Sequence, residues 1–154
     1  MAKKTSLTIA TIGYEKSGFG DLAATLQADR VTHVLDVREL PLSRRAGFSK
    51  RQLAAGLAEV EIRYTHLRGL GTPKAGRVAA HAGHMAEFER IFAAHMKTEV
   101  AQTELQRAAR LVVAEACCLL CFEADPTCCH RRVVAEALHG LTGLPIKHLH
   151  VTAL

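Results

Sequence analysis

The chain is expected to fold as one three-layer α/β domain over residues 1–154: a mostly parallel, Rossmann-like sheet of about five strands with helices on both faces. Three observations lead there. Short β-branched apolar runs alternate with segments whose apolar residues recur at helical spacing, the pattern of repeated βαβ units. The run EACCLLCF at 115–122 is almost continuously apolar, as a strand buried on both faces requires. At 154 residues, folding removes roughly 70% of the extended chain's surface from water, enough for a core without disulfide staples.

The first strand is expected in LTIATIG (7–13), which ends in glycine, and a helix follows in FGDLAATLQAD with Leu22 and Leu26 on one face. VTHVLDVR (31–38) is the second strand. LPLSRRAG then carries the proline, serine and glycine of a loop, and Ser49 is placed to cap the helix SKRQLAAGLAEV, whose Leu53 and Leu57 share a face. IRYTHL (62–67) is the third strand. With three glycines and a proline in ten residues, RGLGTPKAGR reads as a long mobile loop. Helices are expected at about 83–97, anchored by Phe88, Ile91 and Phe92, and at 99–113. After the fourth strand at 115–122, CHRRVVAEALHGLTG puts Val133, Val134, Ala137, Leu138 and Leu141 on one helical face and stops at Gly143 and Pro145. IKHLHV (146–151) is the fifth strand.

In parallel sheets, ligands bind beyond the carboxyl ends of the strands. The polar residues obey that rule. Gly13 and Tyr14 follow the first strand, Asp36 and Arg38 close the second, His66 closes the third, and Cys121 with Glu123 closes the fourth. Four segments thus deliver chemistry to one edge. Arg131 and Arg132 fall in the first turn of the last helix, where the positive end of the dipole disfavours cations, so a negative partner is expected for them. That partner is either an external anion, with Arg38, Arg44 and Arg45 nearby, or an internal carboxylate. Cys129 has the surroundings of a thiol with lowered pKa, namely a helix N-terminus and His130. Cys117 and Cys118 belong to the core. Asp36 and Glu123 are the candidate acid–base groups.

Cys121, Cys128, Cys129 and His130 raise the question of zinc, but adjacent Cys128 and Cys129 would both have to bend toward one ion, unlike the usual C-x₂₋₄-C pairs. No metal ligand is assigned on that basis. Neither the H-x-x-H of His81 and His84 nor the pair His148 and His150 adds a metal site; both read as solvated or hydrogen-bonded histidines. Five cysteines make an odd count, and MAKKTSLTIA lacks the apolar stretch of a signal peptide, which together suggest a reducing, cytoplasmic setting. No apolar run is long enough to cross a membrane. The formal charge of +5 suits an anionic small molecule or a nucleic acid as partner.

Taken together, TIGYEKSGF, VLDVRELPLSRRAGFSK, IRYTHLRGLGTP and LLCFEADPTCCHRRVVAEAL resemble the motif segments of the domain-of-unknown-function family DUF488. The motif positions fall on Gly13, Tyr14, Asp36, Arg38, Pro41, Ser43, Arg44, Phe48, Tyr64, His66, Leu70, Gly71, Cys121, Glu123, Cys129, His130 and Arg131. Phe122 is bulkier than the pattern leads one to expect, and Cys128 adds a thiol it does not ask for. The resemblance implies a compact α/β domain and brings no established reaction or cofactor. The expected site has Asp36, His66, Glu123 and Cys129 as catalytic groups and Gly13, Tyr14, Arg38, Ser43, Arg44, His130 and Arg131 as binding groups. Its expected function is enzyme-like handling of a nucleotide or nucleic-acid fragment. The alternatives are a non-catalytic nucleic-acid-binding module and a thiol redox or metal-binding protein.

Overall fold

The computed structural model describes residues 6–153. The first five residues, part of the segment read above for a leader, and Leu154 lie outside the described residues. Strands β1 (Ile9–Gly13), β2 (His33–Asp36), β3 (Arg63–His66), β4 (Cys117–Cys121) and β5 (Ile146–His148) form one sheet in the order β3-β2-β4-β1-β5. Every pairing is parallel. The α/β fold class is therefore as expected, with each strand shorter than its apolar run because the flanking residues turn away to feed the connections.

Strand alternation divides the core in two. From β4, Cys117, Leu119 and Cys121 point to one face, and Cys118 and Leu120 to the other. The second face is covered by α1 (Phe19–Ala28) and α2 (Lys50–Glu59) through Leu22, Leu26, Leu53 and Leu57. The first is covered by α3 (Lys74–His81), α4 (Met85–Met96), α5 (Glu99–Ala114) and α6 (His130–Thr142), with Phe88, Phe92, Leu105, Val112, Val134 and Leu138 turned inward. No helix among the described residues is long and apolar enough to cross a membrane.

Three local expectations need correction. Residues 68–77 are not a loose loop: Arg68–Leu70 form a 3₁₀ turn and α3 begins at Lys74. Their glycines serve close packing; a Cβ on Gly71 would lie 2.2 Å from the Glu39 backbone nitrogen. Ser49 does precede α2, but its hydroxyl donates to the Ser43 carbonyl and accepts from the Ser43 N–H instead of capping the helix. In α6 the buried face runs through Arg131, Val134, Ala135 and Leu138, leaving Leu141 half exposed.

Candidate functional site

Because all five strands are parallel, their carboxyl ends share one edge. There the segment after β2, the start of α6 and the helices α3 and α4 enclose a cleft of about 870 Å³. Its wall includes Tyr14, Arg38, Ser43, Arg44, Arg45 and Phe122, and its floor includes Cys121, Glu123 and His130. Leu40, Leu42 and Phe122 are exposed at its mouth, Leu42 by 71%.

The wall is braced from behind by a buried ion pair. Asp36, wholly buried at the end of β2, receives Arg38 Nε at 2.9 Å and Nη2 at 2.7 Å in a two-pronged pairing. The Arg38 N–H also reaches Asp36 at 3.1 Å, and the Tyr64 hydroxyl donates to it at 2.5 Å. Arg38 gives its remaining bonds to the Phe48 carbonyl (2.7 Å) and the Tyr14 hydroxyl (3.1 Å). Burial works against the Arg38 charge, but the bond and charge of Asp36 outweigh it and hold the guanidinium protonated beyond its already high range. Tyr64 is pushed well above the usual phenol range by burial and the adjacent Asp36 charge. Tyr14 stacks on Phe48 at 4.4 Å between ring centres. His66 Nε2 lies 2.7 Å from the Arg38 carbonyl, so it secures the same strap. Asp36 and His66 are thus supports behind the cleft. Arg38, with its charge already matched by Asp36, contributes an edge of the wall.

Loop chemistry sets the exposed part. Ser43 accepts the Arg45 N–H at 3.1 Å and is held to Ser49, so the turn bearing Arg44 and Arg45 is organised although both side chains are exposed. Neither guanidinium has a partner among the described residues. Arg77, also on the wall, is paired with Glu39 and the Thr72 carbonyl.

On the floor, Cys121 ends β4, Cys129 precedes α6 and His130 opens that helix. His130 Nδ1 is 3.6 Å from Cys121 Sγ and 3.8 Å from Cys129 Sγ, and its Nε2 meets the Val37 carbonyl at 2.6 Å. The Arg131 N–H points at Cys129 Sγ at 3.5 Å, and Cys121 Sγ lies 3.5 Å from a Glu123 oxygen. Burial alone would raise the Cys129 thiol. The hydrogen bond from Cys121 and the charges of His130 and Arg131 overcome it, leaving Cys129 well below the usual thiol range. Cys121 is pushed the opposite way by its bond to Cys129 and by burial. Burial, followed by the Cys129 charge, lifts Glu123 to about 7. His130 is disfavoured as a cation by burial, yet the Cys129 charge and bond raise it overall.

Arg131 does not reach the cleft. It is 0% exposed, and its guanidinium donates to the Glu123 carbonyl and, at 3.1 Å, to the Ala124 carbonyl. The negative partner expected at the helix end is therefore, for Arg131, a pair of backbone carbonyls, and for Arg132 the carboxylate of Glu136 at 3.1 Å. Gly13 is likewise structural: a Cβ there would stand 1.7 Å from the Glu123 carbonyl oxygen. Cys129, 3% exposed, sits behind Cys121 and His130 and does not line the wall. Cys128 is exposed at the cleft wall, bonded to Asp125 at 3.7 Å and turned away from the Cys121–His130 floor.

Of the expected residues, Tyr14, Arg38, Ser43, Arg44, Glu123 and His130 line the cleft, while Gly13, Asp36, His66, Cys129 and Arg131 stand behind it. Sequence reasoning missed Arg77, Phe88 and the exposed Leu40 and Leu42, which line the same space. Nothing at strand ends flags the first two, because helices α3 and α4 bring them in. It also missed the bond from Tyr64 to Asp36, although parallel register sets the two side by side: Asp36 pairs with His66, two residues beyond Tyr64.

No curated protein and no solved structure matches the chain significantly. The sequence profile described as Domain of unknown function DUF488 matches residues 20–138, from the first turn of α1 into α6. That stretch contains β2, β3, β4, the basic loop and the whole Cys121–Cys129–His130 floor, which is most of the chain: it belongs to the DUF488 family.

Proposed function

We propose that the cleft is an enzyme-like site for a small anionic compound with a flat or apolar body, of which a nucleotide or nucleic-acid fragment is the best example. The observation that carries this reading is the pair Arg44 and Arg45, exposed on the wall with no partner among the described residues, while Arg38, Arg77 and Arg132 are matched by carboxylates. Unpaired guanidiniums on an organised turn are suited to forked contacts with phosphate or carboxylate. Phe122, 44% exposed, and Leu40 and Leu42 offer apolar surface for a base or similar ring. Glu123 and His130 on the floor lie within the same space for proton work on a bound molecule.

The test is thermal stabilisation by nucleoside monophosphates. At about 100 times its Kd, a ligand stabilises by about 2.7 kcal/mol, a rise of about 5–10 °C for a chain this size. Replacing both Arg44 and Arg45 by Ala is expected to weaken binding by more than about a hundredfold, since each charged hydrogen bond contributes about 1.5–3 kcal/mol. The ligand-free variant should melt within about 2 °C of the parent, because both side chains are exposed. No stabilisation by any monophosphate, together with tight binding of long single strands that weakens steeply with salt, would instead assign the basic edge to a nucleic-acid-binding module.

A further inference from the structure

We propose that Cys121, Cys129 and His130 form a three-ligand site for zinc or a similar divalent transition metal, with its fourth position open to the cleft beside Glu123. The proposal concerns the floor and stands whether or not the wall binds an anion.

Distance comes first. A tetrahedral ion with bonds of about 2.3 Å to sulfur and about 2.0–2.1 Å to imidazole nitrogen sets S and N about 3.5–3.6 Å apart. Here Nδ1 is 3.6 Å from Cys121 Sγ and 3.8 Å from Cys129 Sγ, and the three donor atoms lie within 4.8 Å of one another. The nitrogen–sulfur spacings are thus within a few tenths of an ångström of that geometry, and the ring and the two sulfurs close around the ion as it binds.

Tautomer comes second. The Val37 carbonyl can only accept, so the 2.6 Å contact means that Nε2 carries the hydrogen. In the neutral ring, Nδ1 therefore carries the free lone pair; Cys121 Sγ, 4.0 Å from Nε2 as well, lies beside the ring, so the imidazole turns toward the thiols when the ion binds. A histidine fixed by a backbone carbonyl through one nitrogen while the other faces the ion is the usual outer-shell arrangement of metal-binding histidines. The Arg131 N–H aimed at Cys129 Sγ does the same for that sulfur, supporting a thiolate at the helix start.

Chemistry selects the ion. Two thiolates and an imidazole favour zinc and its softer neighbours over magnesium or calcium, which take oxygen. Two cysteines with one histidine and an open position is also a known catalytic zinc arrangement, whereas structural zinc closes all four positions. The spacing argument against zinc assumed that Cys128 and Cys129 must both turn inward. Cys128 is exposed and turned toward Asp125, so that objection lapses.

The experiment uses the full chain, reduced and stripped with chelator, titrated with cobalt(II) chloride. One equivalent should bind, with thiolate-to-cobalt charge-transfer and tetrahedral d–d absorption, and zinc chloride should displace it. Cys128→Ser should retain the bands, while Cys129→Ser should lose them and bind more than about a hundredfold more weakly, since removing even an outer-shell partner costs up to that much. In case Cys129→Ser fails to fold, zinc-edge X-ray absorption on the unsubstituted protein decides independently: two sulfurs at about 2.3 Å with nitrogen or oxygen completing the shell are expected. Absence of the cobalt bands, bands that depend on Cys128, or a zinc shell with fewer than two sulfurs would overturn the proposal. Nucleotide stabilisation measured on the same stripped protein reports separately on Arg44 and Arg45, so failure of one reading is distinguishable from failure of the other.

Discussion

Two buried arginines show how differently one residue type can be used. Arg38 shares a wholly buried carboxylate with Tyr64, so its charge is matched in place. Asp36→Asn would leave that guanidinium buried beside a neutral amide. It is expected to destabilise the protein by about 3–5 kcal/mol, read as a lowered chemical-denaturation midpoint. Arg131 holds only carbonyls, and its Nε has no hydrogen-bond partner among the described residues. Arg131→Leu removes two charge-assisted bonds but also the cost of burying a charge, so a smaller loss of about 2 kcal/mol is expected in ligand-free protein. Melting curves of the two variants check the order. Sequence placed Arg131 correctly at a helix start and called for a negative partner; it could not show that the turn after β4 would curl its carbonyls into that role.

At the level of elements, the tightest juncture is where β1 ends under the turn after β4. Gly13 allows the Glu123 carbonyl to pass, Glu15 accepts the Ala124 N–H at 3.1 Å, and Arg131 clamps the far side. Gly13→Ala would put a carbon 1.7 Å from backbone that has no room to yield. A loss of about 3 kcal/mol or more is expected, and hydrogen exchange should show the 122–130 segment opening first. Strands and helices with clear periodicity were legible, β4 above all, because CCLLC must be apolar to face helices on both sides. Helix α3 was not. Glycines signal both flexibility and close approach, and only the neighbouring Glu39 backbone reveals which applies at Gly71. The brief β5 shows the reverse error: Leu149 and Val151 continue the apolar pattern after strand pairing has ended.

For the whole molecule, parallel topology does most to build the site. It brings the ends of β1, β2, β3 and β4, far apart in sequence, to one edge, and this much could be read from where polar residues follow apolar runs. The depth of each residue within that edge could not be read, because it depends on packing between segments: Asp36 and Arg131 sink into structure, while Arg44 and Arg45 stay outside. The central claim is that this cleft, and no other surface, receives the ligand. A backbone-amide NMR titration of the full chain with a nucleoside monophosphate tests it most directly. Saturable shifts confined to residues 38–46, 77–88 and 121–130 are the predicted result; shifts centred on the opposite edge of the sheet, or none at millimolar ligand, would contradict it.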